Sequence, residues 1–243
     1  MDHDTASRTV GHVAALWRFP VKSMAGEPLE AVDVGWHGLA GDRRWAFVRD
    51  GTSRVGFPWL SIRQHAAMAR HQPYFVEPDR PDTSPTRVRT PAGGDFDVAD
   101  PALAEAMWPD GARLLKLDRG TFDSFPLSLI TTQTIDWLGA RIGRVMDARR
   151  FRMNLVIRAA EARPFQEDEW LGRTLRIGGV RLRVDRRDGR CVVITTDPDT
   201  LERDPAILRL VAAERDGCLG VYASTVERGR VACGDAVRDE ISA

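Results

Sequence analysis

The sequence contains no apolar run of roughly 18 residues, the length that a membrane-spanning helix requires. Its opening, MDHDTASRTV, lacks the basic-then-apolar order of a secretory leader, so a soluble, cytoplasmic protein is expected. Net charge is missing as well, with 35 Lys and Arg set against 35 Asp and Glu. No global field then draws the chain to nucleic acid or an anionic membrane, and any anion site must be built locally. Lysine is almost absent: Lys22 and Lys116 are the two in the chain. Cysteine is scarce and odd in number. Cys191, Cys218 and Cys233 show no C-x-x-C spacing, which argues against a disulfide framework or a zinc knuckle. The five histidines lie in the first third of the chain, far in sequence from every cysteine. Repeats, heptads and low-complexity tracts are also missing.

What is present is a chain of 243 residues, 43% hydrophobic, enough to bury one large core or two small ones. HVAALWRFPV and RRWAFVRD read as strands, and Tyr74 to Asp100 is dense in Pro, Asp, Thr and Gly, as in hairpins and loops. DPALAEAMWPDG offers an Asp cap with Pro at the first helical position, a short helix. A second helix is expected in SLITTQTIDWLGARIG, capped at Thr132 or Thr134, and a third in DPAILRLVAAER. FRMNLVI, TLRIGGVRLRV and CVVITT read as strands, and two closing strands flank the turn ERGR. The sum is mainly β with a few helices, an α+β chain whose sheets a barrel, or a pair of barrels, would close.

Several segments could carry chemistry. In FPVKSMAG an extended X-Pro stretch delivers Lys22 and Ser23 side by side before a glycine turn, and ammonium, hydroxyl and turn amides together suit a phosphate. GLAGDRRW supplies Asp42, Arg43 and Arg44 beside a strand, an arrangement that is most often a surface ion pair. In RRFRMNLVI the period-two alternation predicts Arg152 and Asn154 on one strand face, suited to a flat anionic ligand. Cys191 stands between Arg190 and an apolar run. It reads either as a small buried hydrophobe or, with an adjacent guanidinium and Gly189, as a thiolate able to ligate a soft metal or attack an electrophile. Cys218 and Cys233 need no role beyond packing.

The order of these motifs is more specific than any one of them. FPVKS, GLAGDRRW, FPLSLITTQTIDWL, RFRMNLVI, PFQEDEWLG, RCVVITTDPDT and LGVY with RGRVACGD run from about Val13 to Val237. In that order they resemble the MOSC family, named for the C-terminal domain of molybdenum-cofactor sulfurase. The likeness is to its two-part members with an N-terminal β-barrel domain, which include the mitochondrial amidoxime-reducing components and bacterial relatives. The resemblance implies an N-terminal β-rich domain over 10–117 and a MOSC-type barrel over 118–240.

It also implies a molybdenum cofactor, a metal on a pterin dithiolene with a terminal phosphate, held between the two domains. The cysteine of the RC pair, here Cys191, would ligate the metal and be the catalytic residue. Lys22, Ser23, Arg43, Thr131, Thr132, Arg152, Asn154 and Arg190 match positions that grip the pterin and its phosphate. WLSIRQHA resembles the family's arginine-bearing segment only loosely, and Arg63 receives no assignment. No four-cysteine tail follows Val237, so electrons are expected from a separate protein of ferredoxin, flavoprotein or cytochrome type. The implied activity is reduction of N-hydroxylated or N-oxygenated small molecules. The alternative is a carrier of sulfur or of the cofactor, with a persulfide or the cofactor held on Cys191.

Overall fold

Apolar residues out of phase with polar ones make the first strand one wall of a barrel. In β1 (Ser7–Arg18), Val13 and Leu16 are buried while His12 and Ala14 are exposed. The structure, a computed structural model, describes residues 7–51 and 57–240; part of the opening MDHDTASRTV, expected to hold no secretory leader, lies outside them. After β1 come β2 (Glu27–Leu29), β3 (Ala31–Gly35), β4 (Gly38–Leu39), β5 (Trp45–Arg49), β6 (Gln72–Phe75), β7 (Thr86–Arg89), β8 (Asp95–Asp97), helix α1 (Pro101–Met107) and β9 (Ala112–Lys116). The rest of the chain adds β10 (Leu127–Thr131), α2 (Thr132–Ile142), β11 (Leu155–Ala159), β12 (Thr174–Ile177), β13 (Val180–Gly189), α3 (Pro205–Arg215), β14 (Cys218–Glu227), β15 (Gly229–Ala232) and β16 (Ala236–Glu240).

β1 pairs antiparallel with β11 on one side and β16 on the other, so seven strands close in the order β1-β11-β10-β14-β13-β12-β16. Closure leaves the ring without an open edge. β10 and β11 run parallel, with Leu129 opposite Leu155, and α2 supplies the crossover that parallel neighbours require. Val13, Leu16, Leu127, Leu129, Leu155 and Ile157 pack in the barrel core. Ile130 and Val156, one residue out of phase, belong to a second core with Ile135, Leu138, Ile207 and Val211 of α2 and α3. A third core, with Val21, Phe47, Leu60, Val88 and Leu103, lies among the β5–β9 pair, the β6–β7–β8 sheet and α1.

The chain is thus mainly β, with three α-helices among the described residues. In space, β1 is a barrel strand and β3 pairs with β15. Among the described residues no helix is long and apolar enough to cross a membrane.

Helix capping follows the sequence closely. Asp100 accepts from the Ala102 amide ahead of α1, and Asp204 accepts from the Ala206 amide ahead of α3, each with Pro in the first turn. The cap of α2 is Thr131, one residue earlier than expected, and its side chain accepts from the Thr134 amide. Two other expectations are corrected. CVVITT is not a strand: Val192–Thr195 forms a 3-10 turn with Ile194 buried in the α2–α3 core, and the Thr195 hydroxyl donates to the Val192 carbonyl at 2.7 Å. RRFRMNLVI is not one strand either. Ala148–Phe151 is a 3-10 turn capped by Asp147, Arg152 takes a left-handed backbone with φ 54°, and β11 begins at Leu155. The two closing strands, β14 and β15, flank the turn at ERGR as expected; β14 lies between β10 and β13, and β15 pairs with β3.

Candidate functional site

The end of β1, the loop after β4 and the segment before β10 are laced together by backbone. Lys22 donates to the Trp45 carbonyl at 2.8 Å, Arg43 to the Phe19 carbonyl at 2.6 Å, and Thr121 to the Arg43 carbonyl at 2.8 Å. Ser23 and Arg43 both sit at positive φ, 69° and 50°, conformations that ordinary residues adopt only when their surroundings hold them. A cleft of about 320 Å³ opens beside this lacing. Seven of the nine candidates line it: Lys22, Ser23, Arg43, Arg152, Asn154, Arg190 and Cys191.

Asp42, fully buried, organises one wall. Its carboxylate accepts from the Phe19 amide at 2.7 Å and from the Asn154 amide at 3.1 Å, and it pairs with Arg43. Asn154 is spent on the protein itself. It also donates to the Trp17 carbonyl at 3.2 Å, and its oxygen accepts from the Ser128 hydroxyl at 3.2 Å. Its amide therefore positions Asp42 and offers a ligand no free hydrogen-bonding group.

Among the described residues six cationic side chains, of Lys22, Arg43, Arg63, Arg150, Arg152 and Arg190, line the cleft against two carboxylates, Asp123 and Asp188. Lys22 is buried, donates to the Thr121 carbonyl at 2.8 Å and pairs with Asp123; burial pulls its pKa down, partly offset by that carboxylate. Arg190 pairs with buried Asp188 and donates to the Phe151 carbonyl at 2.6 Å, and burial raises the Asp188 pKa against the pull of that guanidinium. Arg152 stacks on Phe19, 4.3 Å to the ring centre, and gives one nitrogen to the Met24 carbonyl at 2.7 Å. Among the described residues its Nη2 is buried without a partner, as is Nε of Arg190. Burial, with Arg43 alongside, pulls the Arg152 pKa down to about 9.

Cys191 ends the loop after β13, half-buried, and Arg63 Nη2 lies 3.3 Å from its sulfur. Arg63 in turn stands over Phe57, 5.0 Å to the ring centre, and 3.7 Å from Asp123. Cys218 and Cys233 do not line the cleft. Nor do Thr131 and Thr132. The Thr131 hydroxyl caps α2 and donates to buried Glu167 at 2.7 Å, and the Thr132 hydroxyl donates to Gln133 at 3.0 Å. Sequence reasoning left Arg63 unassigned and missed Asp123. The one usable signal for Asp123 was its place in FDSFPLSL, just before β10.

The fold and the site define a β-barrel protein in which a thiol and a cluster of cationic side chains line one cleft. Family models extend this: the MOSC domain matches residues 116–238 and the MOSC N-terminal beta barrel domain matches residues 10–104. The chain belongs to the MOSC family, a family associated with the molybdenum cofactor, in its two-part form. Human mitochondrial amidoxime reducing component 2 is 26% identical over a 292-residue alignment covering 94% of this chain and 83% of that protein. Human mitochondrial amidoxime-reducing component 1 is 26% identical over 242 residues, 79% of this chain and 68% of that protein. Among solved structures, the YuaD protein of Bacillus subtilis superposes with a TM-score of 0.48 at 11% identity, covering 98% of this chain and 99% of that one.

Proposed function

We propose that the protein is a molybdenum-cofactor-dependent oxidoreductase that reduces N-hydroxylated or N-oxygenated small molecules with electrons from a separate donor protein. The observation that carries the reading is the buried Nη2 of Arg152, unpartnered among the described residues, in a cleft whose described cations outnumber its carboxylates and which Cys191 also lines. Such a donor set fits an anionic pterin phosphate, and thiolate sulfur fits a soft metal. The names of the amidoxime-reducing relatives support the substrate class.

In this reading Cys191 holds the metal, and Arg63 orients the sulfur through the contact it already makes. Lys22, Arg43, Arg152 and Arg190 hold the pterin and its phosphate, with Ser23 adding a hydroxyl at the turn. Asp42 and Asn154 fix the directions of Arg43 and the chain around Phe19. Phe57 and Phe122 line the same cleft and limit the access of water. When bound, the cofactor supplies two-electron chemistry that, with two protons, breaks an N–O bond and releases the oxygen as water.

The test is metal analysis of protein made in a host that synthesises the cofactor, followed by turnover of an aromatic amidoxime with a chemically reduced dye. Molybdenum stoichiometric with the chain and formation of the amidine are expected. Molybdenum without turnover would leave storage of the cofactor as the function. Cyanide-labile sulfur on Cys191 without molybdenum would make the protein a sulfur carrier.

A further inference from the structure

A half-paired carboxylate stands at one end of the barrel. In β16, Val237 and Asp239 are buried while Arg238 between them is exposed, so Asp239 points inward with the core residue Val237. Its register partners are Arg8, near the start of β1, and the core residue Leu175, near the start of β12, which places Asp239 at a mouth of the barrel. A pocket of about 100 Å³ opens there and shares no lining residue with the thiol cleft. We propose that this pocket binds a small primary alkylammonium ion, with Asp239 as its counter-ion. The inference does not depend on the reductase reading.

Asp239 is 3% exposed; its Oδ2 pairs with Arg173, while Oδ1 is buried with no partner among the described residues. A carboxylate oxygen withdrawn from water without a donor is costly, so an N–H group brought to it is favoured. The donors nearby are committed elsewhere: Arg8 to Glu161 at 2.9 Å, and the Gln166 amide to the Glu161 and Arg163 carbonyls at 2.6 and 2.7 Å. The other carboxylates of the pocket, Glu161 and Glu169, are matched by Arg163 at 2.7 and 2.8 Å. Attraction for a cation therefore centres on Asp239. The Arg173 side chain is 53% exposed, so it can shift outward and admit a donor to Oδ1. Val10, Ala160 and Trp170 give the pocket an apolar wall, and its space, equal to that of about three waters, takes an ammonium group with a short chain. A metal ion suits the pocket less well, because among the described residues no three His, Cys, Asp or Glu side chains are grouped to hold one. A lone carboxylate oxygen is instead matched by a charge-assisted N–H bond.

The probe is n-butylammonium, titrated at constant ionic strength into the isotope-labelled full chain and followed by amide NMR shifts. Tetramethylammonium supplies the charge without an N–H, and 1-butanol the chain without the charge. Saturable shifts are expected at the amides of Arg8, Leu175 and Asp239, with each control at least about tenfold weaker, the loss that follows when a charge-assisted contact is missing. Asp239→Asn keeps the side-chain shape and should weaken the probe by a similar factor. Glu214→Gln, which removes a carboxylate of α3 outside the pocket, should leave it within about twofold, the size of an indirect effect. Arg173→Ala removes the competing cation and should bind at least as tightly as wild type, so it decides the matter if Asp239→Asn does not fold. Shifts that never saturate, equal affinity for tetramethylammonium, undiminished binding in Asp239→Asn or weakened binding in Arg173→Ala each overturn the proposal. So do saturable shifts confined to amides away from the barrel mouth.

Discussion

The guanidinium of Arg63 stands 3.3 Å from the sulfur of Cys191, although 128 residues separate them in the chain. One residue comes from the segment that follows β5 and the other from the end of β13, so the contact spans the two parts of the protein. It singles out Cys191 from the other two thiols. Cys191→Ser should abolish molybdenum retention, because a hydroxyl is a harder and more basic ligand than a thiolate, while Cys218→Ser and Cys233→Ser should retain it. Molybdenum per chain, with far-UV spectra to verify folding, measures this; equal losses in all three variants would remove the special role of Cys191.

Arg152→Ala should lower molybdenum per chain far more than it lowers turnover per bound molybdenum. Its buried Nη2 has no partner among the described residues, and in the proposed reading loss of one charge-assisted contact weakens binding roughly ten- to a hundredfold. Full occupancy with a collapsed rate per molybdenum would instead assign Arg152 to the substrate path.

Asp42→Ala should cost about 3–5 kcal/mol of stability, as expected when one member of a buried charge pair is removed and the other is stranded. It would leave Arg43, the Phe19 amide and the Asn154 amide without their acceptor. Asp33→Ala, which breaks the exposed pair with Arg230 at 3.1 Å, should cost less than about 1 kcal/mol. Urea unfolding of the two variants makes the comparison; equal midpoints would show that Asp42 is not a hub.

Glu167 gives a pH signature. It is buried against Thr131 and Thr134 with its pKa raised by burial, which outweighs the hydrogen bonds it accepts. For an acid with a raised folded-state pKa, the unfolded chain releases its proton first. The stabilisation is therefore complete below the unfolded value near 4.5 and lost as pH rises through the folded value. Glu167→Gln should remove this fall, so that wild type loses stability relative to the variant as pH increases from about 4.5. Denaturant midpoints across that range test it; parallel curves would mean that Glu167 is ionised in the folded protein without penalty.

Local reading succeeded where a residue's role is set by its immediate neighbours. Asp100 and Asp204 cap helices because a short carboxylate followed by proline satisfies the first free amides wherever the helix packs. Lys22 and Cys191 could be picked out because each joins a polar or ionic partner to a turn, and the order of their motifs is a property of the chain. Reading failed where a pattern had two solutions. The alternation in RRFRMNLVI fits a strand, yet Arg152 bends to φ 54° while its guanidinium reaches the Met24 carbonyl and stacks on Phe19. Thr131 and Thr132 lie in a recognisable motif, but their hydroxyls serve Glu167 and Gln133.

The sequence by itself determined the mainly β class, the helix starts and the motif order, because periodicity and capping act over a few residues. Only the tertiary structure decided which of the marked residues meet. β1 closes the barrel between β11 and β16 and then carries the chain through Phe19 to Lys22, which sets that segment against Arg152 and Asn154. Asn154 and Asp42 are 112 residues apart and cannot be paired by any local rule. Barrel closure and burial bring them to 3.1 Å, and the desolvation that makes an unpaired charge costly keeps them there.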